Sequence, residues 1–180
     1  MASGEPMRLR RHLVLIGPMA SGKSTLGSQF ANRHGLAFAD SDKRLVERHG
    51  PIPAIFTSLG EHAFRELEAR EVAALLGEGK PPAVVSLGGG AILDTGTQQL
   101  LANCTVVFLD IDVDTVRPRI IKDTGRPLLA GDPVGRWTET LRQRRPVYER
   151  LADLVLDTRG KSQQQLLAEL RQLLEERHEP

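Results

Sequence analysis

Short apolar runs alternate with stretches of helical periodicity along this chain. In the helical stretches, apolar residues recur at three- and four-residue spacings, as in the longest one, residues 60–76, and in the leucine stripe between residues 166 and 174. The apolar runs predict five buried strands, at residues 12–16, 36–39, 83–87, 105–110 and 154–156. Alternating strands and helices predict an α/β domain, with a parallel sheet and helices on both of its faces.

One stretch interrupts this alternation at length. Residues 124–136 are rich in Gly and Pro, and we expect them to form a long mobile excursion. No linker, repeat or low-complexity tract divides the rest. A length of 180 residues suits one domain, so we expect a single domain over residues 12–177 after a flexible tail of residues 1–11.

The composition argues against several classes of function. The 24 basic and 23 acidic residues nearly balance, so the net charge recruits neither nucleic acid nor a membrane surface. No apolar run approaches the roughly 20 residues of a membrane span, and the start of the chain lacks the apolar core of a secretory signal. The single cysteine, Cys104, cannot form an internal disulfide and is expected to be buried. We therefore expect a cytoplasmic protein.

The most informative local motif follows the first predicted strand. Residues 17–24 read GPMASGKS and match G-x-x-x-x-G-K-[ST], the pattern of loops that cradle phosphate groups. The glycines let consecutive backbone N–H groups point at a phosphate. Lys23 would neutralise the β- and γ-phosphates, and Ser24 would ligate Mg²⁺. A helix expected over residues 26–33 would direct its N-terminus at the same anion, so the motif predicts nucleotide binding.

Two further predicted strands end in residues suited to phosphoryl transfer. Asp40 and Asp42 follow the second strand, and the three glycines at residues 88–90 follow the third. Ligands of an open parallel sheet bind beyond the carboxyl ends of its strands, so we expect these residues to meet the phosphate loop. A carboxylate there could hold Mg²⁺ through water or orient an attacking hydroxyl group. Asp42 could instead cap the helix predicted over residues 43–48.

Arginines supply the remaining candidates. Arg126 lies in the excursion, where it could close over a transferring phosphoryl group or remain a solvated loop residue. Arg65 lies beside acidic residues of the long helix and could equally form a surface ion pair. Most of a further cluster is expected to line a solvated helix face; its members are Arg142, Arg144, Arg145 and Arg150.

Taken in order, these motifs resemble the shikimate kinase family, which consists of small phosphate-loop kinases of the nucleoside monophosphate kinase type. The resemblance runs from about His12 to Leu174. It implies a three-layer α/β/α fold with five parallel strands in the order 2-3-1-4-5, a substrate-binding segment at about residues 40–68 and a lid at about residues 122–136. It rests on the phosphate loop with Met19, on Asp40-Ser41-Asp42, on Phe64-Arg65 with Glu68, on Ser86 to Gly90, on Arg126-Pro127-Leu128-Leu129, and on Arg144 before Pro146 and Tyr148.

The resemblance further implies transfer of the γ-phosphate of ATP to the 3-hydroxyl group of shikimate, with Mg²⁺ as cofactor, by a monomer that binds neither nucleic acid nor a membrane. The implied catalytic residues are Lys23, Asp42 and Arg126. The implied ATP-binding residues are Gly17, Pro18, Met19, Ala20, Ser21, Gly22, Lys23, Ser24, Thr25 and Arg126. The implied shikimate-binding residues are Asp42, Arg65, Gly88, Gly89, Gly90 and Arg144, and the implied metal ligands are Ser24 and, through water, Asp40.

Within that set, the resemblance assigns Arg65 and Arg144 to the substrate carboxylate and Asp42 to the substrate hydroxyl groups. The sequence also departs from the family pattern. Val46 stands where many relatives have a glutamate, and the turn at residues 50–53 is one residue shorter than usual; both departures lie in the implied substrate-binding segment. Either Arg117 or Arg119 matches the arginine that stacks on adenine, and the spacing does not distinguish them.

Two other functions are alternatives at this point. A related kinase that acts on gluconate would share the fold, but Phe64-Arg65, the glycines at residues 88–90 and residues 126–129 match the shikimate kinase pattern. A ligand-sensing module that has lost catalysis usually follows a DNA-binding segment, for which eleven residues before the first strand leave no room. Retention of Lys23 and Asp42 also favours an enzyme.

Overall fold

The computed structural model describes residues 6–122 and 129–178 of the chain. At its centre is a parallel sheet of five strands: β1 (Leu13–Ile16), β2 (Phe38–Asp40), β3 (Val84–Ser86), β4 (Thr105–Asp110) and β5 (Leu154–Asp157). Their order across the sheet is β2-β3-β1-β4-β5. This arrangement confirms the α/β class and the strand order that the family resemblance implied.

The described residues also form α-helices on both faces of the sheet. The helices are α1 (Lys23–His34), α2 (Ser41–His49), α3 (Ile52–Leu76), α4 (Thr95–Leu101), α5 (Val113–Lys122), α6 (Pro133–Leu151) and α7 (Gln163–His178). Leu13 and Leu15 of β1 pack against α1 and α7 on one face, while Val14 and Ile16 pack against α3, α4 and α6 on the other. Successive side chains of a strand point to opposite faces, so a fully buried β1 serves both halves of the core.

Cys104 is buried just before β4, as predicted. Burial raises the pKa of its thiol to about 11. The thiol is therefore protonated at neutral pH, and the side chain acts as a small apolar group in the core.

The long helix predicted from about residue 60 is confirmed as the second of two segments within α3. A kink at Gly60, whose φ of 82° and ψ of 173° are not helical, separates it from a first segment that begins at Ile52 and was not predicted. The sequence suggests a turn at Pro51 and Pro53. Proline is equally compatible with the first turn of a helix, because N–H groups there have no partner within the helix and the missing N–H of proline costs no hydrogen bond. The segment of residues 52–59 is therefore helical.

The predicted excursion at residues 124–136 is also shorter than expected where the structure describes it. Residues 133–136 form the first turn of α6, because the Asp132 side chain accepts a hydrogen bond from the N–H of Gly135 (3.0 Å) and Pro133 takes the first helical position. Of the remaining residues of the predicted lid, those at 123–128 lie outside the described part of the chain.

Part of the predicted N-terminal tail lies against the core. Met7 and Leu9 are half-buried on the face that also holds α1, and the N–H of Met7 donates to the carbonyl oxygen of His34 (3.4 Å). The division into a tail and a domain stays a prediction. Over residues 6–122 and 129–178, no helix has the length and apolar character needed to cross a membrane.

Candidate active site

A cleft of about 510 Å³ opens where β1, β3 and β4 end. It brings together the phosphate loop (residues 17–25), the first turn of α2, the end of β3, α5 and the segment that follows β5. Parallel strands place their carboxyl ends at one edge of the sheet, which is why residues so distant in sequence converge there. The polar and glycine residues of the lining are Ser21, Gly22, Lys23, Ser24, Thr25, Asp42, Ser86, Gly89, Arg119, Thr158, Lys161 and Gln163.

The backbone of the phosphate loop takes conformations that favour glycine. Gly17 has a φ of 147°, and a Cβ atom there would lie 2.9 Å from the carbonyl oxygen of Leu109. Gly22 has a φ of 92° at the N-cap of α1. The loop therefore runs directly into α1, whose first residues line the cleft and whose first N–H groups have no partner within the helix.

Lys23 is buried, and its ammonium group lies inside the loop. Its Nζ atom donates to the carbonyl oxygens of Gly17 (2.9 Å) and Pro18 (2.8 Å) and to Oγ of Ser21 (3.3 Å). A buried charge needs such partners because its removal from water is costly. The loop thus holds a positive charge at the position where its motif would bind phosphate.

Ser24 and Asp40 meet beside the loop. The hydroxyl group of Ser24 donates to the carboxylate of Asp40 and lies 3.3 Å from Oγ of Ser86. Asp40 also accepts a hydrogen bond from the N–H of Lys43 (3.0 Å) and is the N-cap of α2. The alternative in which Asp42 caps this helix is therefore wrong; Asp42 lies in the first turn instead, because α2 begins at residue 41.

The glycines after β3 allow α2 and α3 to approach closely. The N–H of Gly88 donates to Oγ of the buried Ser41 (2.9 Å). A Cβ atom at Gly88 would lie 2.5 Å from Oδ1 of Asp42 and 2.7 Å from Oε1 of Glu68, and one at Gly90 would overlap the guanidinium group of Arg65. Any side chain at these two positions would displace these charged groups, of which Asp42 lines the cleft and Glu68 and Arg65 lie behind it.

Arg65, whose side chain is 22% exposed, forms ion pairs with two carboxylates of its own helix, the exposed Glu61 (3.7 Å) and the buried Glu68. Its Nη1 atom is 2.7 Å from Oε2 of Glu68, which is only 4% exposed. Burial raises the pKa of Glu68, the positive charges of Arg65 and Arg144 oppose that shift, and the negative charge of Asp42 reinforces it. The four side chains therefore form one electrostatic cluster beside the glycines.

Tyr148 connects this cluster to the glycine loop. Its buried hydroxyl group donates to the carbonyl oxygen of Gly89 (2.5 Å) and also hydrogen-bonds the Arg144 side chain. Burial raises the pKa of Tyr148 to about 12, so the hydroxyl group stays protonated and available as a donor. Arg144 is accordingly directed inward from α6 and does not belong to the solvated face that the sequence suggested for most of its arginine cluster.

Arg119 and Arg117, the two candidates for the adenine contact, differ in position. Arg119 lines the cleft, and its Nη1 atom donates to the carbonyl oxygen of Ala20 in the phosphate loop (2.8 Å). Arg117 is half-exposed and lies 3.8 Å from Asp114 on its own helix. Arg126, the predicted lid arginine, lies outside the described residues.

Glu68 and Tyr148 lie in the sequence motifs, but no binding or catalytic role is predicted for either. For Glu68 a signal was available, since Arg65 and Glu68 are spaced i, i+3 on a helix and such pairs are neighbours. For Tyr148 there was none, because its partner Gly89 is 59 residues away in sequence.

Comparison with known proteins agrees with this geometry. The sequence profile described as "Shikimate kinase" matches residues 19–175. The chain belongs to the shikimate kinase family. It is accordingly an ATP-dependent kinase that phosphorylates an alcohol group.

Two curated shikimate kinases illustrate the similarity. The chain is 42% identical over 155 residues to that of Streptomyces coelicolor, covering 86% of this chain and 90% of the relative. It is 40% identical over 166 residues to that of Corynebacterium efficiens, covering 91% and 96%.

Solved structures of shikimate kinases share the fold along most of the chain. The structure of the shikimate kinase from Acinetobacter baumannii in complex with shikimate has a TM-score of 0.88 and 29% sequence identity, covering 99% of this chain and 97% of its own. A gluconokinase from Sinorhizobium meliloti, with a TM-score of 0.60 and 21% identity, shares the fold alone. The comparisons therefore favour the shikimate kinase assignment over the gluconate alternative.

Proposed function

We propose that this kinase transfers the γ-phosphoryl group of ATP to the 3-hydroxyl group of shikimate, giving shikimate 3-phosphate and ADP. The observation that carries the proposal is the cluster next to the phosphate loop. In it Asp42 lies beside Gly88, Arg65 lies beside Gly90, and Arg144 hydrogen-bonds Tyr148, which donates to Gly89. Shikimate has one carboxylate and three hydroxyl groups, so it requires cations at one end and hydrogen-bond acceptors at the other. The cluster offers both.

On the donor side, the phosphate loop and α1 bind the phosphates of ATP. The N–H groups at the start of α1 and the charge of Lys23 stabilise the β- and γ-phosphates. Arg119, beside Ala20 in the cleft, stacks on the adenine base. Arg126 reaches the phosphates from the lid, as the family resemblance implies, and lid closure excludes the water that would otherwise accept the phosphoryl group.

The paired side chains of Ser24 and Asp40 fit Mg²⁺. A hydroxyl and a carboxylate oxygen are hard ligands, and Mg²⁺ in kinases takes only one or two protein ligands beside phosphate oxygens and water. Ser24 would hold the ion directly and Asp40 through water. When bound, Mg²⁺ neutralises charge on the β- and γ-phosphates.

On the acceptor side, Arg65 and Arg144 bind the shikimate carboxylate, each with a planar fork of donors that suits its two oxygens. Glu68 holds Arg65 in place, and Tyr148 holds Arg144. The third anchor is Asp42, which accepts hydrogen bonds from the shikimate hydroxyl groups. These contacts orient the 3-hydroxyl group towards the phosphate loop.

In the transfer step, the 3-hydroxyl oxygen attacks the γ-phosphorus while the bond from that phosphorus to the bridging oxygen of ADP breaks. The proton of the hydroxyl group passes to the carboxylate of Asp42. Phosphoryl transfer depends mainly on alignment and neutralisation of charge, so the residues described here act chiefly by positioning. We place the enzyme in the cytoplasm, as a monomer.

A coupled assay of ADP release tests the proposal. We expect ADP release with shikimate to exceed that with gluconate, and that without any acceptor, by orders of magnitude. ADP release with gluconate but not with shikimate would show that the acceptor is wrong. Absence of ADP release with every acceptor would favour a sensing module.

A further inference from the structure

A second buried carboxylate on α3 has no part in the chemistry described above. Glu71 is 4% exposed, and its partners are three side chains of α2. Oε2 lies 2.6 Å from Nε of Arg44 and 3.7 Å from Nε of Arg48, and Oε1 lies 3.1 Å from Nε2 of His49. Burial opposes ionisation of Glu71, but hydrogen bonds from His49 and Arg44 outweigh it and lower its pKa. Glu71 therefore carries a negative charge among these partners.

The two ends of α2 are held by different means. At its start, Asp40 is also the last residue of β2 and pairs with Ser86 in the sheet, so the sheet fixes it directly. Asp42 lies two residues later, in the helix itself. At the other end of α2, the contacts with Glu71 tie the last turns of the helix to α3, beside the buried Leu45, which packs against Ile55 and Phe64 of α3.

Glu68 lies between the acceptor-site residue Arg65 and Glu71 on α3. The three follow one another at three-residue intervals, so Glu68 is a neighbour of both, while Arg65 and Glu71 lie about 120° apart around the helix axis. At 1.5 Å per residue, Glu71 lies only about 4.5 Å further along the axis than Glu68. The same two turns of α3 thus contact the substrate cluster and α2.

We propose that Glu71 is a positioning residue for the acceptor site. By holding α2 against α3, it sets the distance between Asp42 and Arg65, which contact opposite ends of the acceptor. This inference rests on the proposed function, in which those two residues bind shikimate. The phosphate loop does not contact Glu71 or its three partners among the described interactions, and Asp40 is fixed by the sheet, so the effect is confined to the acceptor.

The test compares Glu71→Gln with Glu66→Gln. Glu66 lies on the same helix, but it is exposed and contacts only the exposed side chains of His62 and Arg70 among the described residues. In Glu71→Gln we expect KM for shikimate to rise roughly tenfold, as expected for a small displacement of a binding group, while KM for ATP changes less than about twofold. Glu66→Gln should change neither constant.

Arg44→Gln provides a second variant, because it removes one partner of Glu71 from a less buried position. We expect it to raise KM for shikimate in the same selective way. The double variant Arg44→Gln/Glu71→Gln should raise KM for shikimate no further than Glu71→Gln alone, since both changes disrupt the same contact. If Glu71→Gln fails to fold, Arg44→Gln provides the test.

Either of two results would overturn the inference: equal increases in KM for shikimate and for ATP, or an unchanged KM for shikimate in a folded Glu71→Gln. Amide hydrogen exchange separates this inference from the proposed function. Even if wild-type protein fails to phosphorylate shikimate, Glu71→Gln should exchange faster at residues 43–49 and not at residues 23–34. Equal acceleration in both segments would contradict a specific hold on α2.

Discussion

The phosphates on the donor side meet mainly one contiguous stretch, residues 17–25, to which Asp40 and Arg119 are added from elsewhere, whereas the acceptor side takes residues from α2, α3, α6 and the loop after β3. On the donor side, the backbone and one lysine present charge to phosphates that every nucleotide shares. On the acceptor side, Asp42, Arg65 and Arg144 depend on helix packing and on contacts from Glu68 and Tyr148. The phosphates, which every nucleotide has, are thus bound by a local sequence motif. The acceptor is bound by residues that only the tertiary structure brings together.

The two sides should fail in different ways when mutated. Damage to the donor side should lower the rate with shikimate binding preserved. Damage to the acceptor side should weaken shikimate binding with ATP binding preserved. Trp137 helps to measure the donor side, because it is the single tryptophan and its Nε1 atom donates to the carbonyl oxygen of Met19 in the phosphate loop (3.0 Å). Its fluorescence should therefore report nucleotide binding.

The largest effect is expected for Lys23→Ala. It removes the charge held inside the phosphate loop, and kcat should fall by roughly a thousandfold, the upper range for loss of one preorganised donor. The dissociation constant for shikimate, measured by calorimetry, should change little. A comparable loss of shikimate affinity would show that the two sides are not separate.

A smaller but selective effect is expected for Gly88→Ala. Its methyl group would enter the space occupied by the carboxylates of Asp42 and Glu68. We expect kcat/KM for shikimate to fall by roughly a hundredfold, because a displacement of about 1 Å in a reacting site has that cost. Titration of ATP against Trp137 fluorescence should give the wild-type affinity; a weakened ATP affinity would contradict the prediction.

Arg119→Ala and Arg117→Ala form a matched pair on α5. Arg119 lines the cleft and Arg117 does not. We expect Arg119→Ala to weaken ATP binding by roughly tenfold, which is the scale of one cation–π contact, and Arg117→Ala to leave it within about twofold. Steady-state kinetics at saturating shikimate provide the measurement, and the opposite ranking would reverse the assignment.

The smallest effect concerns the pH dependence of stability. Burial raises the pKa of Glu68 above its ordinary 4.5 in the folded state. The stability that the protonated carboxyl group contributes is therefore fully present below pH 4.5, and it is lost as the pH rises through the pKa of the folded state. Glu68→Gln cannot ionise. Its free energy of unfolding, from urea titrations, should therefore improve relative to wild type as the pH rises from 4 to 8. Glu66→Gln controls for the loss of an exposed charge on the same helix, and a constant difference would contradict the raised pKa.

Local patterns predicted more of the fold than of the acceptor site. The strands followed from apolar runs, and β4 begins and ends where the pattern indicated. The helix at residues 52–59 was not predicted, because prolines favour turns and the first turn of a helix alike, and only packing selects between them.

The acceptor site depended on the family resemblance. Asp40 rather than Asp42 caps α2, a difference of two residues that no propensity resolves. The roles of Tyr148 and Glu71 depend on partners 59 and at least 22 residues away in the chain. Such contacts exist only once the helices have packed.

The central claim is that the arginines beside the glycines bind the acceptor and not the nucleotide. Arg65→Ala tests it most directly, with the dissociation constants of shikimate and of ATP measured separately by isothermal titration calorimetry. We predict that shikimate affinity falls by roughly a hundredfold, as for loss of a buried, bidentate charged contact, and that ATP affinity stays within about twofold. Equal losses of both affinities in a folded protein would contradict the claim.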